Sequence, residues 1–222
     1  MMHPVPSVFE GSSDTIAVLV LLTEFAMLRA ALLRAQLRLY AAQSLMLSAL
    51  AIVVAASRHV PELYVLAGLS FVLKVLVVPW VVTRLLRDTS TEIAGSGALG
   101  VASEVLVALV AAAFGFFAIG ALNIQSRVLP KTALSLAFAV VLVAFVLIIV
   151  RSDLISQAVG FFSLENGVSL ASLVVASGLP LILEVAFLFD LLVAVVIFGV
   201  LARVTHGRSG TMSTSMLNAL RG

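Results

Sequence analysis

Cysteine is absent from this chain of 222 residues, and charged residues make up only 11% of it. Without thiolates the chain cannot hold an iron–sulfur cluster or a cysteine-ligated zinc ion. Its three histidines lie in a terminus, a loop and the exit of the last apolar run, at His3, His59 and His206. No glycine-rich phosphate loop follows a strand pattern either. We therefore expect no metal or other cofactor in this chain.

Apolar residues are abundant instead. They form 62% of the chain, against about half in a soluble domain, where roughly a quarter of the residues are charged. Long apolar stretches recur from Thr15 to Val204, which is typical of helical proteins that cross a membrane several times. The arginines lie at the ends of these stretches, so the net charge of +2 gives no indication of nucleic-acid binding. The sequence thus predicts a multi-pass protein of the cell's inner (plasma) membrane.

Charged and Gly/Pro/Ser-rich segments divide the chain into about seven predicted transmembrane helices. Each is long enough to cross a hydrocarbon core of about 30 Å at about 1.5 Å per residue. Helices are expected because backbone groups in lipid must pair within their own segment. The predicted spans cover residues 15–34, 37–57, 62–87, 98–122, 131–151, 155–176 and 180–204. The predicted fold is an all-α bundle in one membrane domain, with a four-helix half (15–122), a three-helix half (131–204) and a cytoplasmic tail (205–222).

The basic residues predict which way the bundle faces. Nine fall on one side of the predicted membrane, at Arg29, Arg34, Arg38, Arg84, Arg87, Arg151, Arg203, Arg208 and Arg221. Only three fall on the other side, at Arg58, Arg127 and Lys131. Cytoplasmic loops carry the excess of Lys and Arg, so the N-terminus is expected outside and the C-terminus in the cytoplasm.

Six ionisable residues lie inside the predicted spans. Near the membrane centre are Glu24, Lys74, Glu165 and Asp190, while Glu104 lies nearer the cytoplasmic end and Glu184 nearer the outside. Each costs about 2.5–3.5 kcal/mol at a helix centre, so they are expected to face the bundle interior, pair with one another or line water. Intramembrane residues of this type form proton relays, and these six are therefore the candidate proton or ion path.

A structural role is the alternative for each of these residues. A single buried carboxylate is often a neutral, hydrogen-bonded core residue, and a Lys–Glu pair often serves only to fix helix register. Glu104 and Glu184 lie near the interfaces, where water around the lipid headgroups would solvate them. A purely structural role is less favourable as an explanation for all six residues together, because apolar packing at these positions would cost less free energy.

Glu165 and Lys74 have distinctive neighbours. Ser169 and Ser172 fall on the same helical face as Glu165. Small residues keep that helix thin and allow close contact, at Gly160, Gly167 and Ala171. Pro79 follows Lys74 by five residues and is expected to kink the third span beside the lysine. Plain helix packing explains both patterns equally well, and that alternative stays open.

The first three and the last three predicted spans share a plan. In each set a basic inner end is followed by a helix with a polar residue at mid-span and then by a helix that starts at a proline. The mid-span polar residues are Gln43 and Glu165, and the prolines are Pro61 and Pro180. Because spans one and five point the same way, the pattern predicts a parallel repeat.

The last third of the chain resembles a known family. The stretch RSDLISQAVGFFSLENGVSLASL is similar to the K subunit of bacterial complex I and the C subunit of Mrp-type cation/proton antiporters. Arg151 matches the basic turn of that family and Glu165 its second-helix glutamate. The second carboxylate is matched by Asp190 on its distance to the basic end, or by Glu184 on residue type. With KVLVVPW in the third span and four additional spans, the whole chain resembles the family of hydrogenase-4 component E, a membrane protein.

The resemblance implies a non-catalytic subunit of a group 4 membrane-bound NiFe hydrogenase or formate hydrogenlyase complex. Such a subunit lies beside large antiporter-like subunits, and the Ni–Fe and Fe–S centres belong to its partners. Glu165, with Asp190 or Glu184, would then pass protons, and Lys74 would modulate them. Two alternatives stay open, a component of an Mrp-type multisubunit antiporter and an assembly scaffold. The translocated ion and its direction are not encoded in any pattern found.

Overall fold

The computed structural model describes residues 8–87, 93–94, 100–122, 131–175, 189–190 and 192–201. Within these ranges every regular element is a helix, and the predicted all-α class is confirmed. The helices are α1 Val8–Arg29, α2 Leu33–Arg58, α3 Glu62–Ser70, α4 Val78–Arg87, α5 Val101–Ala121, α6 Lys131–Val150, α7 Leu154–Val175 and the short α8 Leu192–Leu201. A π-helical segment, Phe71–Val77, joins α3 to α4 without a break.

Within the part of the chain that the structure describes, four helical stretches are long and apolar enough to cross a membrane by length and composition. They are Leu33–Ser57, Glu62–Arg84, Val101–Ala121 and Lys131–Val150. α1 and α7 are each 22 residues long. About half of the predicted seventh span, 180–204, lies outside the described residues. Seven spans and the orientation of the termini therefore stay predictions.

α6 lies at the centre of the bundle. It packs against α5 on one side, α7 on another and α1 on a third. Nine of its twelve buried side chains are small or β-branched, including Ala133, Ala137, Val140 and Val143, and the other three are leucines. α2 packs against α1, α7 and the rod formed by α3, the π-helical segment and α4. α5 instead exposes a row of large apolar side chains, among them Leu106, Val110 and Phe114, which is the composition of a lipid-facing or partner-facing surface.

Glycines allow α7 to approach α6 closely, which confirms the prediction from the sequence. A Cβ at Gly167 would lie 2.8 Å from Cγ2 of Val141 and 3.1 Å from its backbone nitrogen. A Cβ at Gly160 would lie 2.8 Å from Cγ1 of Ile148. All three distances are shorter than van der Waals contact, and the neighbouring atoms belong to short side chains or backbone with little room to move. Small residues of this kind let helix backbones pack closely in membranes.

We expect Gly167→Ala to lower the stability of the chain by about 1–3 kcal/mol, the usual cost of overpacking. Gly68→Ala is the matched control, since a Cβ at Gly68 meets nothing within 4 Å. The control should be neutral or stabilising by up to about 1 kcal/mol, because alanine favours helix more than glycine does. The thermal unfolding midpoint of the full-length chain in detergent measures both. Equal midpoints for the two variants would contradict the close α6–α7 contact.

The first predicted span, 15–34, was wrong at its end. α1 stops at Arg29, and Leu32 adopts an extended conformation with φ −103° and ψ 128°. Leu32 pairs with Ile93 in an isolated antiparallel bridge, and the Ala94 N–H donates to the Ala31 carbonyl at 2.8 Å. The chain turns here because a distant segment supplies backbone partners, which the local apolar pattern does not reveal.

For the predicted parallel repeat of the first three and the last three spans, the structure confirms that the first and the fifth span, α1 and α6, run in the same direction. Near its start, α6 donates a hydrogen bond from Thr132 to Asp14 of α1 at 2.6 Å, and Arg151, directly after α6, reaches the Leu28 carbonyl near the end of α1. The turns after α1 and α6 are also closed in the same way. The Gln36 and Gln157 amides each donate to a backbone carbonyl six residues earlier in the chain.

The rod departs from α-helical geometry directly before Pro79. A kink was predicted beside Lys74, and the structure has the π-helical segment Phe71–Val77 at this place. Proline has no N–H, so the carbonyl four residues earlier loses its α-helical donor. In a π-helix each N–H donates to the carbonyl five residues earlier, one residue farther than in an α-helix. The Val78 N–H accordingly donates to the Leu73 carbonyl. Lys74 lies within this widened turn, and π-helical turns occur frequently at functional sites.

Candidate functional site

Lys74 and Glu165 form a buried ion pair between the rod and α7. Lys74 Nζ lies 3.5 Å from Glu165 Oε1, and the two side chains are 3% and 8% exposed. Burial of both charges together is favourable only when further polar partners surround them. The two carboxylate oxygens of Glu165 accept no hydrogen bond from the described residues, so the carboxylate is held mainly by the charge of the lysine.

Two side chains of α7 accept hydrogen bonds from Lys74. The ammonium group donates to Asn166 Oδ1 at 3.2 Å and to Ser169 Oγ at 3.1 Å. Ser169 was predicted to share the face of Glu165, and it does so by contacting the same lysine. The ammonium group is thus shared between Asn166, Ser169 and Glu165 rather than directed at the carboxylate alone.

Asn166 extends the polar contacts from Lys74 to α2. Its Nδ2 donates to Gln43 Oε1 and to Ser44 Oγ, each at 2.9 Å. The side chains of Asn166, Gln43 and Ser44 are fully buried. Because a buried amide without partners costs free energy, these polar contacts fix the position of Asn166 firmly between the two helices.

Gln43 continues the chain of hydrogen bonds to Glu24 on α1. Its Nε2 donates to Glu24 Oε2 at 2.9 Å and to the Val20 carbonyl at 3.2 Å. Ser163 on α7 contacts the same carboxylate oxygen and also lies 2.8 Å from Gln43 Oε1. Glu24 is fully buried. An unbroken series of polar side chains therefore runs from Glu24 through Gln43 and Asn166 to the Lys74–Glu165 pair.

Aromatic side chains pack beside this series. Tyr40 and Phe162 are both buried, with ring centroids 5.8 Å apart. Phe198 on α8 packs on Phe162 at 6.1 Å. These rings lower the local dielectric on one side of the polar series, which strengthens the electrostatic interactions within it.

A second polar cluster lies where α6 ends. Arg151 is 8% exposed and lies 4.0 Å from Glu104 near the start of α5. Its guanidinium also donates to the Leu28 carbonyl in the last turn of α1. A cation at this place stabilises the negative end of the helix dipole as well as the carboxylate. Arg151 thus ties three helices together from one position.

The start of α7 completes the second cluster. Asp153 accepts a hydrogen bond from the Ser156 N–H at 2.7 Å, which is the geometry of a helix N-cap. Ser156 Oγ lies 2.8 Å from Gln36 Oε1 on α2. The pairs Gln36–Ser156 and Gln43–Ser163 lie two helical turns apart, so α2 and α7 run in parallel with matched Gln–Ser contacts.

Comparison with known proteins identifies the family. The chain is 30% identical over 192 residues to the uncharacterized protein Rv0085 of Mycobacterium tuberculosis, covering 85% of this chain and 86% of that protein. It is 25% identical over 209 residues to hydrogenase-4 component E of Escherichia coli K12, covering 94% of this chain and 97% of that protein. The chain belongs to the hydrogenase-4 component E family. No family model matches it, and no solved structure does.

Four of the six predicted path residues are buried in this member of the hydrogenase-4 component E family. Glu24, Lys74, Glu104 and Glu165 are each at most 7% exposed, which confirms that they face the interior. Glu24, Lys74 and Glu165 belong to one polar series, whereas Glu104 lies in the second cluster. Their role in ion movement stays a prediction.

The outcomes for Glu104, Asp190 and Glu184 differ from one another. A solvated position near the headgroups was the alternative for Glu104, and that alternative is wrong, because the carboxylate is buried against Arg151. Asp190 has an exposed side chain and does not face the bundle interior, but its charge acts on Glu165, and its place in the path stays a prediction. Glu184 lies outside the described residues. The choice between Asp190 and Glu184 as second carboxylate is therefore still a prediction.

Sequence reasoning missed the residues that connect the charges. Asn166 lies next to Glu165 in the stretch that carries the family resemblance, but neither Asn166 nor Ser163 nor Ser44 was singled out. Gln43 was noted only as a mid-span polar group. A buried amide in an apolar run carries a weaker indication of function than a charge, yet it is this amide that bridges two helices. Among the described residues there is no group of three or more side chains suited to hold a metal ion.

Proposed function

We propose that this chain is a non-catalytic membrane subunit of a hydrogenase-type complex and that Lys74, Glu165 and Glu24 form part of its proton path. The single observation that carries the proposal is the Lys74–Glu165 pair, 3.5 Å apart inside the bundle and joined to a second buried carboxylate by hydrogen bonds. The name of the Escherichia coli relative, hydrogenase-4 component E, supports the type of complex.

The chemistry of the pair suits reversible proton transfer. A proton leaves Lys74 Nζ and joins a carboxylate oxygen of Glu165, which converts an ion pair into two neutral groups. In a medium of low dielectric constant the charged and neutral forms can be close in free energy, because the attraction of the charges offsets their desolvation. Small changes in the surroundings then shift the proton, which is the property that a relay needs.

The surroundings of the site suit a subunit of a larger assembly. The proposed arrangement has seven spans in the cell's inner membrane, with the N-terminus outside and the C-terminus in the cytoplasm. The exposed apolar row of α5 and the exposed Asp190 would meet lipid or antiporter-like partner subunits. The Ni–Fe and Fe–S centres would lie on other subunits, and this chain would carry no redox group.

The test is Glu165→Gln in the native complex. We expect proton translocation to fall at least about tenfold while the complex still assembles, because the amide cannot take up a proton but fills the same volume. Translocation into membrane vesicles, driven by the redox reaction of the complex, is the measurement. Glu62→Gln is the matched control, since Glu62 is exposed at the start of α3. Unchanged translocation in Glu165→Gln, with intact assembly, would exclude the relay.

A scaffold role has support at a different place. The Arg151 guanidinium contacts the end of α1 and Glu104 at the start of α5, and the Arg151 carbonyl accepts a hydrogen bond from Gln157 in α7. These contacts hold several helices together, as expected of a structural cluster. We assign Glu104 and Arg151 to this role. The two clusters thus divide the buried charges of the chain between a proposed path and a structural junction.

A further inference from the structure

The hydrogen bonds between Lys74 and Glu24 all point in the same direction. Lys74 donates to the oxygen of Asn166, the nitrogen of Asn166 donates to the oxygen of Gln43, and the nitrogen of Gln43 donates to Glu24. The donors therefore face Glu24 at every step, over three bonds of 2.9–3.2 Å.

Chemistry fixes the orientation of both amides. An ammonium group has only donors, so the atom of Asn166 that faces Lys74 must be its carbonyl oxygen. The Val20 carbonyl can only accept, so the atom of Gln43 that faces it at 3.2 Å must be the nitrogen. Each amide is thus oriented by a group outside the amide pair, and the direction of the series does not depend on the choice made for its neighbour.

An oriented series of this kind links the charges at its ends. Each hydrogen bond polarises the next, so a cation at the donor end and an anion at the acceptor end strengthen one another. Neither amide gains or loses a proton readily, so the series is suited to transmit polarity rather than to conduct protons. Its two ends are the two charged groups on which the proposed function rests, and the inference below depends on that function.

We infer that Asn166 and Gln43 form an oriented amide relay, through which the charge of Glu24 determines whether the shared proton stays on Lys74 or moves to Glu165. With Glu24 ionised, the series favours the Lys74 cation and an ionised Glu165. When Glu24 takes up a proton, the polarisation weakens, and the Lys74 proton moves to a Glu165 oxygen. Asn166 and Gln43 are positioning residues in this scheme, since they never hold the proton.

The titratable groups near the relay come from every element around it. They are Glu24 on α1, Tyr40 on α2, Lys74 in the rod, Glu165 on α7 and Asp190 shortly before α8, whose charge also acts on Glu165. Two effects of Glu24 on Glu165 have opposite signs. A direct field between two carboxylates means that removal of the Glu24 charge makes Glu165 easier to ionise. The relay instead acts on Lys74. Removal of the Glu24 charge then weakens the hold of Lys74 on its proton, and the protonated fraction of Glu165 rises. The sign of the response therefore separates them.

The experiment is infrared spectroscopy of the purified full-length chain at one fixed pH. The carbonyl band of protonated carboxyl groups is recorded, and the part that disappears in Glu165→Gln is assigned to Glu165. We expect Glu24→Gln to raise the ratio of protonated to ionised Glu165 at least about fivefold, the lower end of the usual coupling between sites. A fall, or no change, overturns the relay.

The decisive comparison repeats Glu24→Gln in two backgrounds. In Asn166→Leu the series is cut, and the rise should vanish or reverse. Ser169→Ala is the matched control, because it also removes one hydrogen bond from Lys74, of 3.1 Å, but leaves the series to Glu24 intact. There the rise should persist. A rise that survives in Asn166→Leu, or is lost in Ser169→Ala, overturns the relay.

A second variant guards against a misfolded protein. If Asn166→Leu does not fold, Gln43→Met cuts the series at its other amide and is judged in the same way. The outcome is independent of the translocation test. Coupling between Glu24 and Glu165 without any effect of Glu165→Gln on translocation would end the proposed path and keep the relay. Translocation that needs Glu165 but shows no dependence on Asn166 would keep the proposed path and end the relay.

Discussion

Lys74→Met is expected to destabilise the folded chain by about 3–5 kcal/mol, the usual cost when one partner of a buried ion pair is removed. Methionine matches the unbranched stem of lysine, so little volume is lost. What remains is a buried Glu165 carboxylate without the cation that lies 3.5 Å away in the native chain. Asn166 and Ser169 also lose a donor. The measurement is the thermal unfolding midpoint of the full-length chain in detergent.

The double variant Lys74→Met/Glu165→Met identifies the cause. If the unpaired charge dominates the loss, the double variant should recover most of it, because an apolar pair often replaces a buried ion pair without net cost. Arg38→Met is the matched control, since Arg38 is exposed on α2, and it should change stability by no more than about 0.5 kcal/mol. Losses in the double variant that equal the sum of both single variants would show that the two side chains act independently.

Much of the fold follows from the sequence because membrane helices obey strong local rules. The predicted spans 131–151 and 155–176 differ by one residue at most from α6 and α7 at either end. Apolar length and the need to pair backbone groups internally decide these bounds. The end of α1 was predicted wrongly because its turn pairs with residues 93–94, about 60 residues away, and no local pattern reports such a contact.

The site was predictable only in part, for a related reason. The cost of a charge in lipid requires that Glu24, Lys74 and Glu165 avoid the lipid, and their burial was predicted on that ground. The partner of each charge is set by how helices pack, which is a property of the bundle and not of one segment. The sequence therefore pointed to six charges, and the structure separates the five that it describes into a polar series, a junction around Arg151 and an exposed aspartate.

The same reasoning explains why buried amides were undervalued. Asn166 and Gln43 are less costly in lipid than a charge, so hydropathy alone gives them little weight. Their importance comes from geometry, since each has a donor and an acceptor and can join two helices with a fixed direction. A mid-span amide beside a buried carboxylate is the pattern that would have identified Asn166.

Arg151→Met is expected to lower stability by about 3–5 kcal/mol, as large an effect as the loss of Lys74. Arg151 is buried, neutralises Glu104 at 4.0 Å and donates to the Leu28 carbonyl at the end of α1. Its removal leaves a buried carboxylate without that cation and loosens the contact between α1, α5 and α6. Arg29→Met is the matched control, because Arg29 is exposed in the last turn of α1 and its loss should cost less than about 1 kcal/mol.

A comparison with Glu104→Gln separates the structural junction from the proposed path. If the second cluster is only a structural tie, Glu104→Gln should lower the unfolding midpoint and leave translocation per assembled complex unchanged. Glu165→Gln should also lower the midpoint, because it leaves the buried Lys74 without its anion, but it should in addition lower translocation per assembled complex at least about tenfold. Loss of translocation in Glu104→Gln at normal assembly would place Glu104 in the path after all. The two buried clusters would then act as one, and the division between path and tie would be wrong.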